Sequence, residues 1–198
     1  MTSARRQYIL EPAATNPWTC LDTARVFHAG GFQVRRDQVL RPDGTPSTYT
    51  FAEVASDFTV IVALDAAGRV ALVRQWRYPW EASSWELPAG HLEAEEMALV
   101  AAQRELQEEA GLIAASWQQL ATLRTSASLT AQSHIFLARD LSEAPMEREA
   151  SEGDMLLRRL PLTAALAAAA AGDIVHAVSV SSLFLAQRAL EAERGCGS

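Results

Sequence analysis

The stretch from Gly90 to Leu112, GHLEAEEMALVAAQRELQEEAGL, constrains this chain more than any other. Ala98 to Ala110 are nearly all good helix formers, and Gly111 stands where a helix C-cap glycine belongs, so the spacing predicts a helix over 98–110. Residues four apart share a helix face. Glu105 and Glu109 therefore project together, with Glu108 one step round, and Leu99, Ala102, Leu106 and Ala110 form a stripe that can bury. As acids on a helix, the glutamates are expected at the surface. Three carboxylates on one turn repel one another, and the Glu105–Glu109 pair is unfavourable at i, i+4. One reading is a solvated acidic face. The other is a hard divalent cation with oxygen ligands, since Mg²⁺ binds through one or two carboxylates together with substrate phosphates.

The complete spacing weighs toward the second. It is G-x5-E-x7-R-E-U-x-E-E-x-G-U, with U apolar, running through Gly90, Glu96, Arg104, Glu105, Glu108, Glu109 and Gly111. Seven fixed residue types, each at a few per cent usage, arise by chance at roughly one start position in 10⁸. The pattern resembles the box of the Nudix hydrolases at every fixed position. That resemblance implies an enzyme that cleaves a nucleoside diphosphate linked to a further moiety, using Mg²⁺ or Mn²⁺. It also implies that Glu105 and Glu109 hold metal, that Glu108 assists, and that Arg104 orients these carboxylates by ion pairing.

The 198 residues, 49% of them hydrophobic, are enough for a sizeable core but short for two full domains. A net charge of -7 argues against binding a nucleic-acid backbone, although an acidic protein binds an anionic pyrophosphate where metal ions supply positive charge. Two cysteines at opposite ends, Cys20 and Cys196, give no disulfide framework or zinc site and fit a reducing, cytoplasmic setting. No run of about 20 apolar residues exists, so no membrane span is expected, and the first residues do not read as a signal peptide.

Taken in order, residues 1–20 read as an extended lead-in. Residues 23–40 alternate around Gly30-Gly31 as a hairpin, and Ser47 to Val54 resume the alternation, so about 20–55 form a small antiparallel sheet. Asp57 to Leu64 reads as a buried strand, turned at Asp65–Gly68 into a hairpin partner over Arg69 to Trp76. Tyr78 to Ser84 reads as a loop and Trp85–Leu87 as a short strand. Beyond the box, strands are expected near 117–124, 133–138 and 155–160, and helices near 163–171 and 178–193. Strands before and after one central helix fit an α/β fold, a mixed sheet sandwiched by helices. This order resembles the Nudix α/β/α sandwich. The added N-terminal sheet resembles the ADP-ribose pyrophosphatase branch, which implies a subdomain over 1–55 that binds base and exchanges across a homodimer, and a hydrolase domain over 56–198.

The segment RQWRYPW…WELPAG also resembles ADP-ribose and nucleotide-sugar pyrophosphatases. By that resemblance the main-chain oxygen of Ala89 is a metal ligand and Arg77 contacts phosphate or the terminal ribose. Glu86 lies near the metals or holds Arg77, and Tyr49 stacks on the base. The competing assignments are a surface salt bridge for Arg77, a strand-end surface charge for Glu86 and a half-buried sheet tyrosine for Tyr49. Trp76 and Trp85 read as core. In this branch the base that activates water is often a glutamate on a loop well after the box, which points to Glu152 first and Glu149 second. One place departs from the branch: a Ser-Pro-Gly turn about 15 residues after the box is replaced by Thr125-Ser126-Ala127-Ser128-Leu129. That leaves other nucleoside diphosphate sugars open beside ADP-ribose. Dinucleoside polyphosphates or coenzyme A are the next substrates in line, and a non-catalytic nucleotide-binding regulator is the alternative outside enzymes. The histidines have no metal-ligand spacing, and His91 is the one expected near the site.

Overall fold

The computed structural model describes residues 15–146 and 154–195, and these fall into two compact units divided between Glu53 and Val54. The first unit is one antiparallel sheet of β1 (Thr19–Ala29), β2 (Phe32–Leu40) and β3 (Pro46–Val54) in that order. Its hairpin turns at Gly30-Gly31, where Gly30 takes a φ of 55°, a left-handed conformation that glycine adopts without penalty. A polar ladder ties the strands together. Asp37 accepts from Thr23 at 2.5 Å and from Arg35 at 3.0 Å, while Glu53 accepts from Gln33 at 2.7 Å and from Arg35 at 3.2 Å. Val39 is buried, whereas Val26, Phe27 and Phe32 are exposed.

The second unit is built around β4 (Phe58–Ala63). It pairs in parallel with β9 (Gln132–Glu143) on one edge and antiparallel with the short β7 (Ala89–His91) on the other. With β8 (Leu112–Arg124) outside β9, this makes a four-stranded mixed sheet. A second, antiparallel sheet has β5 (Arg69–Arg77) between β10 (Leu156–Pro161) and β6 (Ala82–Glu86). Side chains alternate across a strand, and β4 uses both faces. Val60 and Val62 pack with Leu162 and Ala165 of α2 (Leu162–Ala171) and with Val178, Leu183 and Ala186 of α3 (Ala177–Gly195). Ile61 and Ala63 pack with Ala102, Leu106 and Ala110 of α1 (Ala98–Ala110). The result is the expected α/β/α sandwich. Among the described residues no helix is long and apolar enough to cross a membrane.

The strands over 58–63 and 69–77 do not form the expected hairpin. They share one bridge, Leu64–Val70, and then part into different sheets. Each strand has both edges taken, β4 by β7 and β9, β5 by β6 and β10, so neither can pair further with the other. The tight turn itself is present: Asp65 accepts from the amides of Ala67 and Arg69 and from Arg69 Nε, and Gly68 has a φ of 72°. The segment read as a loop carries a 3₁₀ turn, Tyr78–Trp80, and most of β6. Trp76 is 53% exposed rather than core, while Trp85 packs on the core beneath the guanidinium groups of Arg74 and Arg158. Leu99 is exposed as well, so the buried stripe of α1 runs through Ala101, Ala102, Leu106 and Ala110 instead.

Candidate active site

α1 begins after Met97 and ends at Gly111, whose φ of 61° closes the helix through hydrogen bonds to the carbonyls of Leu106 and Gln107. The helix lies against β7, and the acidic face points at that strand rather than at solvent. Glu105 is 8% exposed and Glu109 only 2%, which corrects the expectation of surface acids. Ala89 N donates to Glu109 Oε2 at 2.9 Å. At Gly90 the backbone passes so close that a β-carbon there would overlap the carboxylate of Glu105. A glycine thus opens the space into which one acid reaches, and the neighbouring amide receives the other.

Arg104 answers the charge crowding. Its Nη1 donates to Glu105 Oε1 at 2.8 Å and to Glu108 Oε2 at 2.9 Å. Its Nε and Nη2 grip Glu96 at 3.2 and 3.0 Å, and Nη2 also reaches the carbonyl of His91 at 2.9 Å. Hydrogen bonding to Glu96 first, then to Glu105 and Glu108, raises the guanidinium pKa above its ordinary value and keeps it charged. Glu96 in turn has its carboxyl held below the ordinary range by Arg104. Three acids around one cation repel less than three acids alone.

Arg77 and Glu86 form a two-pronged pair across β5 and β6: Nε to Oε1 at 2.9 Å and Nη2 to Oε2 at 2.6 Å. Glu86 is fully buried, not a strand-end surface charge. Burial pushes its carboxyl up, but the hydrogen bonds from Arg77, the charge His176 gains once acid protonates its ring, and the charge of Arg77 outweigh that, and the net shift is downward. A cavity of about 450 Å³ opens beside these groups. Arg77, Ala89 and Gly90 line it together with Phe58, Trp80 and His176. Thr125 and Leu129 also border it, so the loop that lacks Ser-Pro-Gly belongs to the cavity wall.

The remaining expected residues are placed as follows. Tyr49 lies in the other unit, on β3, 39% exposed between the ring edges of Trp18 and Phe51 at 5.7 and 6.2 Å. Glu149 and Glu152 lie outside the described residues. His91 does line the cavity, but so does His176, which the sequence reading set aside. The signal that ties it to the site is long-range: Leu87 N donates to Ser179 Oγ, 92 residues away, and this contact brings the start of α3 against β6.

A family model for the NUDIX domain matches residues 55–178. The chain belongs to the Nudix family. Among curated relatives, it is 35% identical over 167 residues to an ADP-ribose pyrophosphatase of Mycobacterium tuberculosis, covering 81% of this chain and 79% of the relative. It is 31% identical over 121 residues to an ADP-ribose pyrophosphatase of Bacillus subtilis, covering 61% and 65%. A methanol dehydrogenase activator of Bacillus methanolicus is also 31% identical, over 124 residues, covering 62% and 66%. The crystal structure of an ADP compounds hydrolase superposes with a TM-score of 0.81 at 23% identity, covering 92% of this chain and 98% of that one, a likeness of fold.

Proposed function

We propose that this Nudix chain hydrolyses the pyrophosphate bond of ADP-ribose, or of a close nucleoside diphosphate sugar, to a nucleoside monophosphate (AMP from ADP-ribose) and a sugar phosphate. The observation that carries this reading is the convergence of two buried carboxylates, Glu105 and Glu109, on the Ala89–Gly90 backbone in the wall of a cavity that also holds Arg77. The similarity to two ADP-ribose pyrophosphatases supports the choice of substrate.

The donor set suits Mg²⁺ or Mn²⁺. Among the described residues no three of His, Cys, Asp and Glu gather into a closed cage. Two buried acids beside a main chain so tight that only glycine fits match an ion that takes few protein oxygens and shares the rest with phosphate. Glu105, Glu109 and the Ala89 carbonyl would hold it, with Glu108 beside them. Bound there, the ion supplies charge neutralisation and polarisation of the pyrophosphate.

The protein's own groups do the rest. Arg104 fixes the direction of Glu105 and Glu108. Arg77 spends Nε and Nη2 on Glu86, leaving Nη1 for a phosphate oxygen, a geometry that a planar guanidinium suits. Water attacks one phosphorus, its proton passes to Glu152, and the P–O bond to the bridging oxygen breaks as that oxygen leaves on the other phosphate. Tyr49 offers an exposed ring for stacking on the base. The subdomain over 1–55 exposes Val26, Phe27 and Phe32, an apolar surface that supports assembly as a homodimer. Light scattering at micromolar concentration is expected to give twice the chain mass, and a fully active monomer would dismiss the dimer.

The test of function is a nucleotide-sugar screen with and without Mg²⁺. Release of AMP from ADP-ribose only with metal is expected, and binding without any AMP release would sink the reading. That second outcome belongs to a regulatory role, which the relative named as an activator makes worth testing in the same screen. The intact Glu105, Glu108 and Glu109 favour turnover.

A further inference from the structure

His176 stands outside everything the box motif carries. Its Nδ1 lies 2.8 Å from Ser179 Oγ and 3.3 Å from Glu86 Oε2. Ser179 Oγ already accepts from Leu87 N at 2.9 Å, and both oxygens of Glu86 already accept from Arg77. An ionised carboxylate only accepts, so its presence favours the tautomer with hydrogen on Nδ1. The second ring nitrogen, Nε2, then carries a lone pair, and it has no protein partner among the described residues. The ring lines the same cavity as Arg77 and Gly90, with Trp80 at 6.3 Å between centroids. Burial pushes the imidazole pKa below its ordinary value, against the opposing pull of Glu86, so the ring is neutral and the lone pair persists at neutral pH.

We propose that His176 is a specificity-determining residue whose Nε2 accepts a hydrogen bond from a sugar hydroxyl of the substrate held in this cavity. This rests on the function proposed above. The cavity wall is largely apolar, through Phe58, Val60, Trp80, Leu129, Val175 and Val178, and fixed polar groups are few. In such a site each polar atom sets orientation, and a ligand lacking its counterpart leaves that atom unpaired. The Nδ1 contacts do the positioning, tying the ring to β6 through Glu86 and to α3 through Ser179. A carboxylate–imidazole pair thereby aims an acceptor, just as it aims a histidine at a metal in other proteins.

The experiment compares three substrates in the presence of Mg²⁺: ADP-ribose, an analogue whose terminal sugar has its hydroxyls replaced by hydrogen, and an analogue with a 2′,3′-dideoxy nucleoside ribose. The variants are His176→Asn, His176→Gln and His176→Phe. Asparagine places an amide donor near Nδ1 and drops the Nε2 position. Glutamine reaches the Nε2 position with an acceptor. Phenylalanine keeps the ring and neither nitrogen. Thermal melts establish that each variant is folded, and His176→Asn decides alone if His176→Phe is not. In the wild type, kcat/KM is expected to fall on the order of 10-fold or more for one of the two analogues, which identifies the ribose contacted. His176→Asn and His176→Phe should lose a similar factor on ADP-ribose and cease to discriminate that analogue, while His176→Gln recovers most of the discrimination. Wild-type behaviour of His176→Asn overturns the proposal and leaves the ring a purely positioning role. So do losses that multiply independently for both analogues. Absence of ADP-ribose turnover by the wild type sinks the substrate reading, and this inference with it, whereas turnover without coupling sinks the inference alone.

Discussion

Gly90→Ala is the sharpest probe of the acidic site, because it adds one methyl group and no charge. Gly90 needs no left-handed backbone, so the substitution acts through space alone. The new β-carbon would fall well inside 3.0 Å of the Glu105 carboxylate. That carboxylate is buried and is held by Arg104 at 2.8 Å, so it must retreat from its place and weaken that bond. Overpacking of this kind costs about 1–3 kcal/mol. For a chain of this length that lowers the melting temperature by about 2–12 °C, at roughly 2–4 °C per kcal/mol. The effect on rate is of similar size in free energy and easier to read. If a Glu105 oxygen holds metal as proposed, a retreat of about 1 Å is the size of misplacement that costs on the order of 10²-fold in kcat/KM. The assays are a thermal melt and ADP-ribose hydrolysis across a Mg²⁺ titration, with weaker metal dependence expected alongside the loss. Adding Glu105→Asp shortens the acid by one methylene and relieves the overlap, so the double variant should regain much of the melting temperature without regaining full activity. Wild-type turnover and metal response from Gly90→Ala alone would refute the reasoning, because Glu105 would then be free to move without consequence.

Glu109→Gln keeps an oxygen for Ala89 N to bond and removes the charge, so a melting temperature within a few degrees of wild type is expected with kcat lower by orders of magnitude; wild-type turnover at saturating substrate would take Glu109 out of the site. Arg77→Met strands the buried Glu86 carboxylate. The pair is partly open on the Arg77 side, so a cost of about 1–3 kcal/mol is expected, below that of a fully buried pair. The same pair fixes a pH dependence. Glu86 is depressed in the folded state, so its contribution is present above the ordinary carboxylate range and is lost as the pH falls through its folded value. Melting temperatures should hold through neutral pH and fall in acid, and Arg77→Met, which removes the lowering, should flatten that fall, its deficit against wild type being largest at neutral pH and narrowing in acid; a deficit unchanged with pH would remove Glu86 from the linkage. Glu152→Gln should lower kcat by about 10²–10⁴-fold with little change in metal affinity, and the same loss in Glu149→Gln instead would transfer the role of base to that residue.

The sequence by itself determined whatever depends on neighbours along the chain. Helix propensity and the glycine at 111 set both ends of α1, and its period placed Glu105 and Glu109 on one face. Alternation and glycine turns located the hairpin of β1 and β2, and the fixed spacing of the box carried the family. What the helix period could not determine is which way that acidic face turns. It reads as solvent-facing until β7 lies across it, and β7 is three residues long with no periodicity of its own. The partners of β4 and β5 were equally illegible, since a tight turn between two apolar strands predicts a hairpin and only competition from β6, β7, β9 and β10 for their edges separates them. His176 and Glu86 meet for the same reason. Nothing near either residue announces the other, and the packing of α3 on the sheets, fastened by Ser179 to Leu87, brings them within 3.3 Å. Local pattern is fixed by short-range sterics and propensity, whereas the depth of a charge and the company it keeps depend on which surfaces the whole chain buries together.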